Sequence, residues 1–154
     1  MSLTPGLNSA TDLLHKLQRD VGRLNHEVTS DDFFDFVVTG YSLIDWIKND
    51  PSIPLTAKSQ PEIESLYREP WLVVCGDLAN SSKHFILTRR IPVTSSVTST
   101  TGFGQGRFGV GGYGVGEESI EVTISNGTTW TALEFAAGVI QAWIGYFSRH
   151  GIPI

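Results

Sequence analysis

The sequence predicts an α+β protein, mainly α: a four- or five-helix bundle carrying a small antiparallel β-hairpin insertion and a glycine-rich loop. Three observations predict it. Apolar residues recur at three- and four-residue steps through the first half of the chain and again near its end. Between about 91 and 130 the period shortens to two, as in a strand with one buried face. The chain has 154 residues, 40% hydrophobic and 18% charged, enough to bury a core in a single domain spanning 1–154.

The first helix is expected over about 9–26. Leu13, Leu14, Leu17, Val21 and Leu24 form one apolar stripe, and Lys16, Arg19, Asp20 and Arg23 fill the other side. Ser9 is placed to cap its start. The second helix, about 30–50, follows a Thr29 or Ser30 cap. Asp31 and Asp32 suit the positive end of its dipole. Its apolar arc is wide, with Phe33, Phe34, Phe36, Val37, Ile44 and Ile47, which makes it central to the core. Pro51 ends it. A short third helix is expected over 61–68, with Pro61 in its first turn. Pro70 opens a fourth, about 70–85, in which Leu72, Val73, Cys75, Leu78 and Ala79 face the core.

The β insertion covers about 91–130. Val93 and Val97 fall on one side of a first strand, in a run of serine and threonine. A second strand, 119–125, alternates Ile120, Val122 and Ile124 with Glu121 and Thr123. Asn126-Gly127 marks a tight turn, and 128–130 pairs back. Thr131-Ala132-Leu133-Glu134 is a capping box that opens a final helix over 131–149. Leu133, Ala136, Ala137, Val139, Ile140, Trp143, Ile144 and Phe147 form its buried face, and Gly151 terminates it. This helix is too apolar to stand alone, so it completes the bundle and leaves the strands as an insertion.

Residues 102–116 read GFGQG, RFGVG, GYGVG, a five-residue repeat in which eight of fifteen residues are glycine. Such a segment has a high ordering entropy and reads as a loop. Its spacing fits a dinucleotide fingerprint, but it opens no helix, so the required context is missing.

Charge narrows the function classes. A net charge of −5 argues against a protein that coats DNA. The one cysteine, Cys75, excludes an internal disulfide and a cysteine zinc cluster, and reads as a core residue. The four histidines show no metal-ligand spacing, so no metal or cofactor is expected. No apolar run reaches the ~18–20 residues that span a bilayer. The N-terminus lacks the pattern of a signal peptide, so the expected location is cytoplasmic, with no membrane partner. The exposed aromatics of the repeat and the apolar final helix point to a homodimer.

The most distinctive stretch is Cys75-Gly76-Asp77-Leu78-Ala79-Asn80-Ser81-Ser82-Lys83-His84-Phe85. On a helix, Asp77, Asn80 and His84 share a face, with Lys83 beside them. Histidine can exchange protons near neutral pH, and an amide and an ammonium can hold phosphate or carbonyl oxygens. Asp77 and Asn80 equally suit a structural role, satisfying backbone groups nearby. No acidic residue occurs from Leu78 to Gly116, where Lys83, Arg89, Arg90 and Arg107 give +4, against −9 for the rest of the chain. This basic stretch is a candidate binding surface for RNA or a protein partner. Asp35 and Asp45 on the second helix could approach Asp77, which would make a carboxylate cluster.

Phe33-Phe34-Asp35-Phe36-Val37-Val38-Thr39-Gly40-Tyr41, with Asp45-Trp46 and the run from Asp77 to Phe85, resembles a family of uncharacterised small bacterial and phage-associated proteins. The resemblance covers most of the chain and implies a bacterial or phage source. A more distant likeness is to HEPN domains, helical bundles that include ribonucleases with an Arg–polar–…–His motif on one helix. Asn80 and His84 match the polar residue and the histidine, while Ala79 stands at the arginine position. Arg19 and His26 fit the bare spacing on the first helix. The leading expectation is a non-enzymatic binding or regulatory module contacting its partner through Asp77, Asn80, Lys83, His84 and the basic stretch. The alternative is a HEPN-like, metal-independent ribonuclease, with His84 as acid/base and Asn80 and Lys83 stabilising phosphate oxygens.

Overall fold

The structure, a computed structural model, describes residues 3–83, 92–102 and 117–154. Within them lie α1 (Ala10–His26), α2 (Ser30–Asn49), α3 (Gln60–Arg68), α4 (Pro70–Lys83), β1 (Thr94–Gly102), β2 (Glu117–Ile124), β3 (Thr129–Thr131) and α5 (Ala132–Arg149). The fold is α+β and mainly α, as the periodicities predict.

Each helix begins where its polar residues can satisfy free backbone N–H groups. Ser9 and Thr29 accept from the N–H groups of Asp12 and Asp32, and Thr131 forms the full capping box with Glu134. At the end of α5, Gly151 adopts φ 63°. Its N–H donates to the Ser148 carbonyl at 3.2 Å, and the Ile152 N–H donates to the Phe147 carbonyl at 2.9 Å. These two bonds make a Schellman motif, and Ile152 turns back into the core as its apolar partner.

Helix α1 packs on α2 and α5, α2 on α4, and α4 on α5. Gly40 of α2 sits where they meet. A Cβ built there would lie 3.2 Å from Cys75 Sγ on α4, 3.3 Å from Val139 on α5 and 3.5 Å from Leu17 on α1. The Gly40 carbonyl also accepts from the Trp143 indole N–H at 2.9 Å. A second close approach occurs at Gly138, where a Cβ would fall 2.3 Å from the Trp71 ring.

Packing moves several residues from their expected places. Asp20 is fully buried rather than on the solvent side of α1. Lys16 Nζ and Arg23 approach its carboxylate at 2.8 and 2.5 Å, and Lys16 also donates to Thr39 on α2 at 2.9 Å. Cations one turn away on the same helix make this burial tolerable. In α4 the buried valine is Val74, whereas Val73 is half-buried. In α5 the buried face turns to include Phe135 and Tyr146 and leaves Ile144 exposed.

The insertion is a three-stranded antiparallel sheet of order β1-β2-β3, a hairpin of β2 and β3 with β1 paired beside it, as the sequence predicts. The Ile124 carbonyl accepts from Gly127 N–H at 2.9 Å, and Ile124 N–H donates to Thr128 at 3.0 Å. Within this turn only Gly127 takes positive φ, 89°. The connection is therefore a three-residue loop with a glycine bulge, and β3 starts at Thr129. An extra residue in β1, Ser95, falls between Thr94 and Ser96 and shifts the register. Val97 then pairs with Val122, and Ser99 with Ile120, on the sheet face turned toward the helices.

The connection after α2 is held by Asp50. Its carboxylate accepts from Ala10 N–H at 2.7 Å and from the Ser52 N–H and hydroxyl at 2.8 and 2.6 Å. It thus joins the start of α1 to the end of α2. Burial alone would raise the Asp50 carboxyl, but these donors outweigh it and hold the group below the usual carboxylate range.

Three outcomes follow from this packing. Gly138→Ala should lower unfolding stability in urea by about 1–3 kcal/mol, the scale of forced overpacking. Gly145→Ala on the same helix, with nothing within 4 Å of the new Cβ, should raise it by up to about 1 kcal/mol. Because Asp50 is depressed on folding, its contribution is complete above the unfolded value of about 4 and is lost as pH falls through the lower folded value. Thermal melts between neutral and acidic pH should show a steeper loss in the native protein than in Asp50→Asn.

Candidate binding groove

Helix α4 carries the run that the sequence singles out, and its side chains take separate paths. Asp77 is buried, 2% exposed. One oxygen, Oδ2, accepts from the N–H groups of Val93 and Thr94 at 2.8 and 3.0 Å and from the Thr94 hydroxyl at 3.0 Å. It anchors the start of β1 to the helix. Asn80 is half-buried, and its amide donates to the Gly76 carbonyl one turn back at 2.7 Å. Both side chains thus bond to nearby backbone groups. Only the backbone of Lys83 is described, at the end of α4. His84, Arg89, Arg90, Arg107 and the glycine repeat lie outside the described residues.

The other candidates stay apart. Asp35 and Asp45 are exposed on α2, while Asp77 faces β1, so the three carboxylates do not meet. Among the described residues no group of three or more potential metal ligands converges. Cys75 is buried and donates to the Val37 carbonyl at 3.2 Å. Burial pushes its thiol far above the ordinary range, which withholds the thiolate.

What these elements do create is a groove of about 290 Å³, where the first turns of α2, the last described turns of α4 and the inner sheet face come together. Phe33, Val37, Leu78 and Ile120 make its apolar floor. Phe34, 51% exposed, and Val97, 43% exposed, stand at its rim. Four hydroxyls are distributed around it, from Ser30, Ser81, Ser82 and Ser99. The volume lies at the small end of the range for small-molecule sites, which are mainly apolar with a few placed polar groups.

Glu118 fixes one wall of the groove. It accepts from the Ser30 N–H at 2.8 Å, and from the hydroxyls of Ser30 and Ser99. It thereby pins the second strand to the first turn of α2. Burial acts to raise the Glu118 carboxyl, but the Ser30 and Ser99 donors prevail and hold it below its ordinary value. Beyond the lining, aromatic rings pack in a series that reaches Phe33 of the floor. Trp130 of β3 lies against Trp71 of α4, with ring centroids 4.6 Å apart. Phe135 packs on both Trp71 and Phe33, at 6.2 and 6.0 Å.

Sequence reasoning missed the groove because its residues come from four separate elements. One signal was present: the apolar arc of the second helix, Phe34 included, is wider than one neighbouring helix can cover. Ser99 and Glu118 had no local pattern to mark them.

No family model matches the chain, and no match is found among the curated proteins or the solved structures.

If Asp77 serves as the anchor of β1, Asp77→Ala should lower stability by roughly 1–3 kcal/mol, the penalty of leaving buried donors unpaired. Hydrogen exchange should then accelerate at Val93 and Thr94 more than at the N–H groups of α1.

Proposed function

We propose that the protein is a non-enzymatic binding or regulatory module that takes its ligand in the groove between α2, α4 and the sheet. The bacterial or phage setting and the cytoplasmic location implied by the sequence belong to the same proposal. The observation that supports it is the groove itself. Among the described residues, a cleft of about 290 Å³ with an apolar floor and two exposed apolar side chains at its rim lies between packed elements. Small-molecule sites are typically concave and mainly apolar, with a few placed polar groups. Asp77, at 2% exposure, is part of the scaffold behind this site and not of the contact surface.

The test uses N-phenyl-1-naphthylamine, a neutral apolar dye whose fluorescence rises on leaving water. The full chain should enhance it saturably. Val97→Trp places a large ring at an exposed groove position and should weaken binding by about tenfold or more, the loss of roughly one good contact. Unchanged dye binding in that variant, with a native melting curve, overturns the groove as the site. Incubation with mixed RNA should leave the RNA intact. Cleavage that disappears in His84→Ala would replace this reading with the ribonuclease.

A further inference from the structure

The groove's hydrogen bonds restrict what can bind there, and the inference below rests on the groove being the binding site. A serine hydroxyl has one proton to donate and lone pairs that accept. All four groove serines have already placed that proton. Ser30 and Ser99 donate to the Glu118 carboxylate. Ser81 donates to the carbonyls of Asp77 and Leu78, both at 3.0 Å, and Ser82 to the carbonyl of Ala79 at 2.5 Å. What these oxygens can still offer a ligand is acceptance.

Charge points the same way. The described lining contains no lysine, arginine or histidine. Among the described residues, the first turn of α2 is the feature that would attract an anion, and Glu118 already occupies it through the Ser30 N–H. That carboxylate stands directly behind two of the four hydroxyls. Donating to a charged acceptor polarises the Ser30 and Ser99 oxygens and strengthens them toward a further donor. At the rim, the half-exposed Phe34 ring offers a face suited to a cation. A carboxylate or phosphate entering this groove would find acceptors and a negative charge. An N–H donor would find partners, and an ammonium would find them best.

We propose that the groove is a binding site for an amine with an aryl or alkyl body, the body lying on Phe33, Val37, Leu78 and Ile120 and the nitrogen directed to the serine oxygens in front of Glu118. The Glu118 carboxylate sets the preference for positive charge without touching the ligand, so it acts as a positioning residue.

Three probes that share an indole ring isolate the charge: tryptamine, 3-methylindole and indole-3-acetate, titrated calorimetrically into the full chain at neutral pH. Tryptamine should bind about tenfold or more tighter than indole-3-acetate, as expected for a charge-assisted hydrogen bond, with 3-methylindole between them. Glu118→Gln, checked for a native melting curve, should reduce the ratio of tryptamine to 3-methylindole affinity by at least about threefold. Equal or tighter binding of indole-3-acetate overturns the amine assignment, as does an undiminished preference in Glu118→Gln. Failure of all three indoles while N-phenyl-1-naphthylamine still binds overturns the ligand class alone. Failure of that dye as well overturns the groove reading beneath it.

Discussion

The bundle depends on one missing side chain. Gly40 lies where α1, α2, α4 and α5 converge, with Cys75 and Val139 so close that a methyl group would press them back by a few tenths of an ångström and Leu17 already at contact distance. Its carbonyl also receives the Trp143 indole N–H, and one turn earlier the Val37 carbonyl receives the Cys75 thiol. Interiors packed to crystal-like density transmit such constraints. The separation of α2 from α4 and α5 is set here, and with it the width of the space left open further along α2, where Phe33, Phe34 and Val37 look toward the sheet.

The insertion is attached to this bundle by a few polar bonds and a cluster of rings. Asp77 holds the beginning of β1, Glu118 holds β2 to the first turn of α2, and Trp130 brings β3 onto Trp71 and, through it, Phe135. The two carboxylates play the same part at different places: each gathers backbone N–H groups and hydroxyls that would otherwise be unsatisfied at a joint between elements. Because the sheet is fixed along its rim, its inner face stands off from α2 and α4 around Val97 and Ser99, and the groove is the space between. Its polarity is inherited from these same bonds. The hydroxyls that secure the wall have their protons turned away from the cavity.

Much of the architecture was legible in the residues. The leucines of α1, the Thr29 and Thr131 caps, Pro70 and Gly151 mark helix limits through local chemistry that needs no knowledge of neighbours. The alternation of Ile120, Val122 and Ile124 marks a half-buried strand. The candidate site was less legible. The sequence draws Asp77, Asn80, Lys83 and His84 to one short helical run, but a helical repeat gives only the direction in which a side chain leaves its own axis. It cannot say that β1 arrives to take up Asp77, or that the Asn80 amide turns back on its own helix.

The sequence by itself determined where the chain is helical and extended, which turns break it, and that the last helix must return to the first ones, because these follow from interactions within a few residues and from apolar periodicity. Only tertiary structure decided that Asp20 is buried between cations, that Gly40 and Gly138 are points of close approach, and that Ser30, Ser82, Ser99 and Glu118 surround a common space. These outcomes come from contacts between residues far apart in the chain, and no local pattern encodes which surfaces will meet.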